Sequence, residues 1–237
     1  MGKADSRQTK PGNIQIFDAI RADDFEQVKA IIEKAPSAVN AVAPKRSLDT
    51  RGMSPLQVSL CKGRRKKIAW LLLESGADVN YIPDKKLVEE ARPVLFDGVN
   101  AAIWNARRYA WDGKSTEPLR LEWKHTKEES DDAFNFLKRM LELGADINKT
   151  DHYGRNCLME AIAETSNLCP VKNSETGEYY PGRPITPEMC EDIRCILKLL
   201  IDAGADKNNV SAYSKKSIRE HYENESVWQI CGEFWEK

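Results

Sequence analysis

The sequence predicts an all-α solenoid of about five helix-turn-helix units, and a recurring phrase is the first observation behind this prediction. Residues 73–80, 141–148 and 201–208 read LESGADVN, LELGADIN and IDAGADKN. Apolar residues stand eight, four and three positions before each glycine, which is the spacing of one helix face. We therefore expect three helices that end at Gly76, Gly144 and Gly204, where a left-handed C-cap favours glycine.

A second shared phrase lies upstream of the first and supplies the other half of the unit. Residues 49–63 read DTRGMSPLQVSLCKG, and residues 151–164 read DHYGRNCLMEAIAE. Both contain an Asp, a Gly three residues later, and then Ser54 or Asn156 as a helix N-cap before an apolar run. The predicted unit is therefore a turn, a short helix, a short turn, a longer helix and a glycine cap.

Together these phrases resemble the ankyrin-repeat family. RGMSPLQVSL followed by IAWLLLESGADVN is close to the family pattern across a complete repeat. Residues 14–40 resemble a leading repeat and residues 214–237 a closing cap, so the resemblance covers nearly the whole chain beyond residue 13. Gln57 and Met159 stand where the family usually has His, a departure that concerns the hydrogen bonds of those turns. The resemblance implies a non-enzymatic scaffold that binds a protein partner.

The domain organisation follows from the spacing of the glycine caps. We interpret residues 1–13 as a flexible leader and residues 14–237 as one domain, with units at about 14–48, 49–82, 83–149, 150–209 and 210–237. The glycines stand 68 and 60 residues apart, whereas a family repeat has about 33 residues. Predicted helices at 97–110 and 131–141 lie within the first interval, and a further predicted pair lies within the second. Each pair flanks a stretch punctuated by Pro and Gly, which favours long loop insertions at 109–129 and 165–187 over hidden repeats. Residues 41–48 and 81–96 are expected to lengthen turns.

The insertions carry the first group of predicted partner-binding residues. Insertions at the same point of neighbouring repeats emerge on one face, so we expect a composite lobe. Large aromatic side chains anchor interfaces because they bury much area while a polar tip stays wet. The lobe contributes Tyr109, Trp111, Trp123, Tyr179 and Tyr180, and the turn tips contribute Tyr81, His152 and Tyr153 beside a concave face of first helices. The alternative is that the lobe aromatics only pin the loops to the helices beneath.

A basic run is the second candidate binding feature. Arg64, Arg65, Lys66 and Lys67 stand at the start of a predicted helix, where positive charge opposes the helix dipole. The corresponding helices of the other units begin with acidic residues. This difference favours a contact with an acidic patch on a partner, with RNA or with a nuclear-import receptor. A solvated basic turn is the alternative.

Composition restricts the class of protein. Thirty-six Lys and Arg against 37 Asp and Glu give no global field to attract nucleic acid, so nucleic acid is not the expected general partner. We expect a cytoplasmic, reducing location, because the chain has no apolar N-terminal segment and no apolar run of 18 residues. Cys157, Cys169, Cys190 and Cys195 are expected to be buried free thiols rather than zinc ligands, since no CxxC pair exists.

The sequence contains no recognisable catalytic motif. GxSxG, HExxH and GxGxxG are absent, and GKST at 113–116 is not a phosphate-binding loop because Arg108 occupies the position of its first glycine. We therefore expect no enzyme activity, cofactor or metal. Gly2 fits the myristoylation pattern, and its acylation stays open. Three functions stay open for a chain expected to be monomeric when free: an adaptor for one protein partner, an inhibitor or immunity-type protein that blocks an enzyme, and an RNA or nuclear-import contact through residues 64–67.

Overall fold

The computed structural model describes residues 11–45, 49–61, 66–114, 120–170, 176 and 184–236. These residues are mostly helical, with a single two-stranded antiparallel sheet among them. The described elements are α1 (Pro11–Arg21), α2 (Phe25–Lys34), α3 (Pro55–Leu60), α4 (Lys66–Glu74), α5 (Val94–Trp104), β1 (Arg108–Trp111), β2 (Leu121–Lys124), α6 (Lys127–Glu142), α7 (Cys157–Leu168), α8 (Pro187–Asp202), α9 (Ile218–Tyr222) and α10 (Trp228–Cys231).

Polar side chains cap the helices where the sequence predicts it. Ser54 accepts a hydrogen bond from the backbone N–H of Gln57, whose side chain accepts one from the backbone N–H of Ser54, and this capping box starts α3. The Asn156 side chain accepts from the backbone N–H of Met159 at the start of α7. Both predicted N-caps are confirmed. Because each satisfies backbone donors that lack a partner within the helix, the short helix α3 has a defined beginning.

The helices pack in consecutive pairs. The pairs α1–α2, α3–α4, α5–α6 and α7–α8 are each in contact, and the first helices also contact one another in the order α1, α3, α5 and α7. One helix pair lies in each of the first four predicted units, and α9 and α10 lie in the fifth. A continuous apolar core runs along the succession, with Phe17, Leu56, Phe96, Ile162 and Leu197 fully buried within it.

Asparagine side chains bind the glycine cap of the following unit. Asn80 donates from Nδ2 to the carbonyl oxygen of Gly144 at 2.8 Å and accepts from the backbone N–H of Asp146 at 2.8 Å. Asn40 makes the same two bonds to the cap at Gly76, and Asn148 makes them to the cap at Gly204. We call Asn40, Asn80 and Asn148 the asparagine ladder. The final Asn of one GADxN phrase thus holds the Gly and Asp of the next.

The predicted glycine caps are confirmed. Gly76, Gly144 and Gly204 have φ of 88°, 88° and 92°, in the left-handed region that favours glycine. After each of them the alanine N–H bonds to a carbonyl five residues earlier, as in the bond from Ala145 to Met140 at 3.1 Å. The caps turn the chain out of the helix and present the backbone groups that the asparagine ladder binds.

The structure corrects the predicted boundaries at the N-terminus and around the second insertion. Residues 11–13, assigned to the leader, belong to the first turn of α1, since Pro11 suits the first helical position. Helix α7 continues to Leu168, so the insertion predicted at 165–187 starts after that residue, and α8 begins at Pro187.

The third unit differs most from its prediction. The helix predicted at 97–110 is α5 at Val94–Trp104, which takes its first residues from the segment 81–96 assigned to a turn. The insertion predicted as a loop at 109–129 contains the hairpin β1–β2 and the first residues of α6, which Thr126 and Glu129 start with a capping box at Lys127. Tyr109 packs against Trp123 across the hairpin, and such cross-strand pairs stabilise antiparallel strands.

The asparagine ladder yields a prediction for stability. Asn148→Ala removes two hydrogen bonds between consecutive caps, and we expect a loss of about 1–2 kcal/mol in the free energy of unfolding, measured by urea denaturation. Asn208 occupies the same place in the last GADxN phrase and is exposed, with no side-chain hydrogen bond to any described residue. Asn208→Ala is the matched control, and an equal loss in both variants would contradict the role of the ladder.

Candidate functional site

The exposed parts of the first helices and the hairpin enclose a cleft. It has a volume of about 490 Å³. Its lining residues are Leu60 of α3 and Cys61 after it, Arg92 before α5, Asp97, Asn100, Ala101 and Trp104 of α5, Asn105 after α5, Arg108 of β1, His125 after β2, and Glu164 of α7. We call this cleft the polar groove. Asn100, Ala101 and Trp104 project into it together because residues three and four apart share one helix face.

A buried charge network forms the floor of the polar groove and links three first helices. Asp97 accepts from Gln57 Nε2 of α3 at 3.1 Å and from Arg92 at 2.6 Å. Arg92 also lies 3.6 Å from Glu160 of α7, which pairs with Arg155 at 3.1 Å. Each of the two buried carboxylates therefore has an arginine partner, as buried charges require.

The pKa values of these two carboxyls respond to opposing effects. Burial raises the pKa of Asp97 above its usual range, and Arg92 opposes the rise. Burial likewise raises the pKa of Glu160, and Arg155 opposes it. The Gln57 amide takes part in this network as a donor from α3 to Asp97 of α5.

A tryptophan forms one wall of the polar groove. Trp104 is 42% exposed, yet its indole Nε1–H donates to the carboxylate of Glu164 on α7 at 2.8 Å, which fixes the ring. The Arg108 guanidinium carbon lies 5.4 Å from the centre of that ring, a cation–π distance, and Arg108 Nη1 donates to the Trp104 carbonyl at 3.0 Å. The wall thus presents an aromatic ring of fixed orientation beside a carboxylate.

Tyr109 and Trp123 lie on the other face of the hairpin. Tyr109 and Trp123 are directly opposite each other in the β1–β2 register, with ring centres 4.8 Å apart in an edge-to-face arrangement, and each is 40% exposed. Side chains alternate between the faces of a strand, so this pair faces away from Arg108. Trp111 belongs to β1 and pairs with Leu121 through its backbone. The Trp111 side chain, Tyr179 and Tyr180 lie outside the part of the chain that the structure describes.

One carboxylate fastens the base of the hairpin to the helix that follows the second insertion. Asp192 of α8 has a side chain 2% exposed and accepts from the Arg107 backbone N–H at 2.9 Å and from its guanidinium at 2.8 and 3.0 Å. The Ser130 hydroxyl donates to the same carboxylate at 2.8 Å. Although burial raises the pKa of Asp192, its hydrogen bonds outweigh that effect, and the pKa lies below its usual range. The segment before the hairpin is therefore bound to the helix that follows the second insertion.

The predicted turn-tip residues have structural contacts of their own. The Tyr81 hydroxyl donates to the Gly52 carbonyl at 2.6 Å, so this side chain joins two turns. The His152 ring lies 3.6 Å from the Tyr153 ring, and its nitrogens are buried without a hydrogen-bond partner among the described residues. Tyr153 donates to Glu90 at 3.3 Å and packs on Tyr213, which is 81% exposed. Tyr213, absent from our predicted set, is the most accessible of these aromatic residues.

The described half of the basic run lies among acidic residues. Lys66 Nζ donates to the Glu129 carbonyl at 3.3 Å, and a cleft lined by both Lys66 and Lys67 also contains Glu128, Glu129 and Asp132. Arg64 and Arg65 are outside the described residues.

The thiols differ in burial. Cys157, Cys169 and Cys231 are buried, and burial raises the pKa of each to about 12, which keeps them protonated. Cys190 is partly exposed and Cys195 is exposed, so the expectation that both are buried was wrong. The reason is that the outer face of α8 turns Cys195 toward solvent. Within the described residues, no three His, Cys, Asp or Glu side chains are placed to hold a metal ion.

Sequence reasoning missed the polar groove. The available signal was a three- or four-residue spacing, which is shared by Asp97, Asn100 and Trp104 in α5 and by Glu160 and Glu164 in α7.

Neither a protein-family model nor a curated protein matches this chain. No helix in the described ranges is long and apolar enough to cross a membrane.

The Asp192 contact yields a second prediction. Asp192→Ala leaves the Arg107 guanidinium with Glu191, at 2.6 Å, as its carboxylate partner and removes the acceptor of Ser130 and of the Arg107 backbone N–H. We expect a loss of about 2–3 kcal/mol in the free energy of unfolding at pH 7. A carboxyl with a lowered folded-state pKa stabilises the fold above its unfolded pKa, and this contribution is lost as pH falls through the folded value.

The control for this prediction is pH itself. The difference in unfolding free energy between the wild type and Asp192→Asn should shrink as pH falls below about 4, because the wild-type carboxyl becomes neutral first in the unfolded chain and, at lower pH, in the folded protein. Urea titrations at several pH values measure it. A difference that stays constant down to pH 2 would exclude a contribution from the Asp192 charge.

Proposed function

We propose that this chain is a non-enzymatic protein-binding scaffold of the ankyrin-repeat type, which recognises one protein partner through the polar groove and the aromatic face of the hairpin. The succession of contacting helix pairs, the left-handed glycine caps and the asparagine ladder support the repeat architecture. An adaptor of this kind needs no catalytic group, and its specificity comes from the side chains that the repeats display.

The observation that carries this proposal is the exposure of three ordered aromatic side chains around one structural unit. Trp104, Tyr109 and Trp123 are each about two-fifths exposed, although each has a fixed neighbour: Glu164 for Trp104, and the two hairpin rings for one another. Aromatic anchors that are ordered before binding lose little conformational entropy on association. The Asp192 contact holds the hairpin in place and supports the same conclusion.

An RNA or nuclear-import contact has less support. Lys66 and Lys67 lie beside Glu128, Glu129 and Asp132, whose charges repel a phosphate backbone. A salt titration separates the two functions: binding to phosphates weakens steeply with ionic strength, whereas binding anchored by aromatic residues changes little. No described contact distinguishes an inhibitor from an adaptor, and either would use the same surface.

The proposed function predicts that truncation of the anchors abolishes partner capture. In pull-downs from native cell extract, Trp104→Ala and the double variant Tyr109→Ala/Trp123→Ala should each lose the partner that the wild type retains. Truncation of a central aromatic anchor costs about 2 kcal/mol, or roughly 30-fold in affinity. The purified partner then allows titration calorimetry with each variant.

Leu143→Ala is the matched control, since Leu143 is a large apolar side chain of similar exposure, 41%, at the end of α6. Circular dichroism establishes that all variants are folded. Capture unchanged in both aromatic variants would refute binding through this surface and would direct attention to the turn tips. Loss in the hairpin variant alone would assign recognition to the hairpin rather than to the polar groove.

A further inference from the structure

We propose that the polar groove binds the guanidinium group of an arginine side chain from a basic segment of the partner. The inference rests on the proposed function and specifies the chemistry of the same surface. The subsite consists of the Trp104 ring, the Glu164 carboxylate and the Asn100 side-chain oxygen.

The first argument is an acidic group that makes no salt bridge within the described residues, although Arg92 interacts with it at longer range. Asp97 and Glu160 are paired with arginines, but no Lys or Arg of the described chain lies within ion-pair distance of Glu164, which interacts with the uncharged indole N–H of Trp104. A carboxylate whose indole contact leaves acceptor capacity on both oxygens can take a charge-assisted hydrogen bond from a cation. The groove thus offers its available negative charge beside an exposed aromatic ring.

The second argument is an unsatisfied acceptor in the same wall. Asn100 is one helical turn before Trp104, and its Nδ2 donates to Glu160 at 3.1 Å. Its Oδ1 is buried and has no hydrogen-bond partner among the described residues. Buried polar atoms are nearly always paired in folded proteins. A donor from the partner would satisfy this oxygen, and a guanidinium has five donors arranged in a plane.

The third argument is that the Trp104 ring already accepts a guanidinium. Arg108 lies against it at 5.4 Å from the ring centre. The planar, weakly hydrated guanidinium stacks on aromatic faces more readily than a lysine ammonium does. An incoming arginine either replaces Arg108 on the ring or binds beside it, and in both cases the positive charge of Arg108 opposes binding.

A capped peptide tests the inference without knowledge of the partner. The probe is acetyl-Gly-Arg-Gly-amide, and the readout is the indole N–H resonance of Trp104 in a ¹H–¹⁵N spectrum, assigned by its disappearance in Trp104→Phe. We expect a saturable shift with a dissociation constant on the order of 1–10 mM, as suits one side chain. The same peptide with citrulline, the uncharged counterpart of arginine, should give no saturable shift, and the lysine peptide should bind more weakly.

Variants assign the subsite. Glu164→Gln keeps an acceptor for the indole but removes the charge, and it should weaken the arginine probe about tenfold. Asn100→Leu should weaken it about threefold, and Arg108→Gln should strengthen it about threefold. Glu26→Gln, at an exposed glutamate of α2, is the matched control and should leave the affinity unchanged.

The outcomes separate this inference from the proposed function. A shift that citrulline reproduces, or an arginine affinity that Glu164→Gln leaves unchanged, overturns guanidinium recognition. The absence of any shift at about 10 mM arginine peptide also overturns it. If Trp104→Ala nevertheless abolishes capture of the partner, the groove binds that partner through other chemistry and the proposed function stands. If capture is insensitive to Trp104→Ala and to the hairpin double variant while the arginine probe binds, the proposed function fails and the subsite remains.

Discussion

The side-chain amide that bridges consecutive helix caps is the interaction on which the stack depends. A glycine cap exposes a carbonyl oxygen and two residues later a backbone N–H, and one asparagine from the preceding unit satisfies both, as Asn80 does for Gly144 and Asp146. Because the amide has one donor side and one acceptor side, it fixes the register of neighbouring units as well as their contact. The spacing of the caps therefore sets where the first helices lie, and with them the polar groove.

The charge network beneath the groove compensates for the burial of two carboxylates, which this register brings between the helices. Bringing α3, α5 and α7 together buries Asp97 and Glu160 between helices, where an unpaired charge would be costly. Arg92 contacts both carboxylates, so the same side chain that neutralises them also ties α5 to α7. The network stiffens the floor, and Glu164, one turn beyond Glu160 on α7, is left to hold Trp104.

The hairpin contacts the groove through Arg108, and Arg107 at its base contacts α8. Its first strand continues from the end of α5, so Arg108 reaches the Trp104 ring while Tyr109 and Trp123 face outward. Asp192 binds Arg107 at the start of this hairpin and belongs to the helix that follows the second insertion. The hairpin thus has a fixed base, which keeps its exposed aromatic side chains on a rigid support.

The sequence alone determined the helices, their caps and the repeated phrase, because periodicity, Ser54 and Asn156 at N-caps and glycine at left-handed C-caps are local signals. It also indicated that the insertions carry aromatic residues. The tertiary structure decided the rest: Tyr109 and Trp123 meet across the two strands of the hairpin, and the Trp104 indole binds Glu164, 60 residues away. These contacts arise from packing between distant segments, and no local pattern contains their geometry.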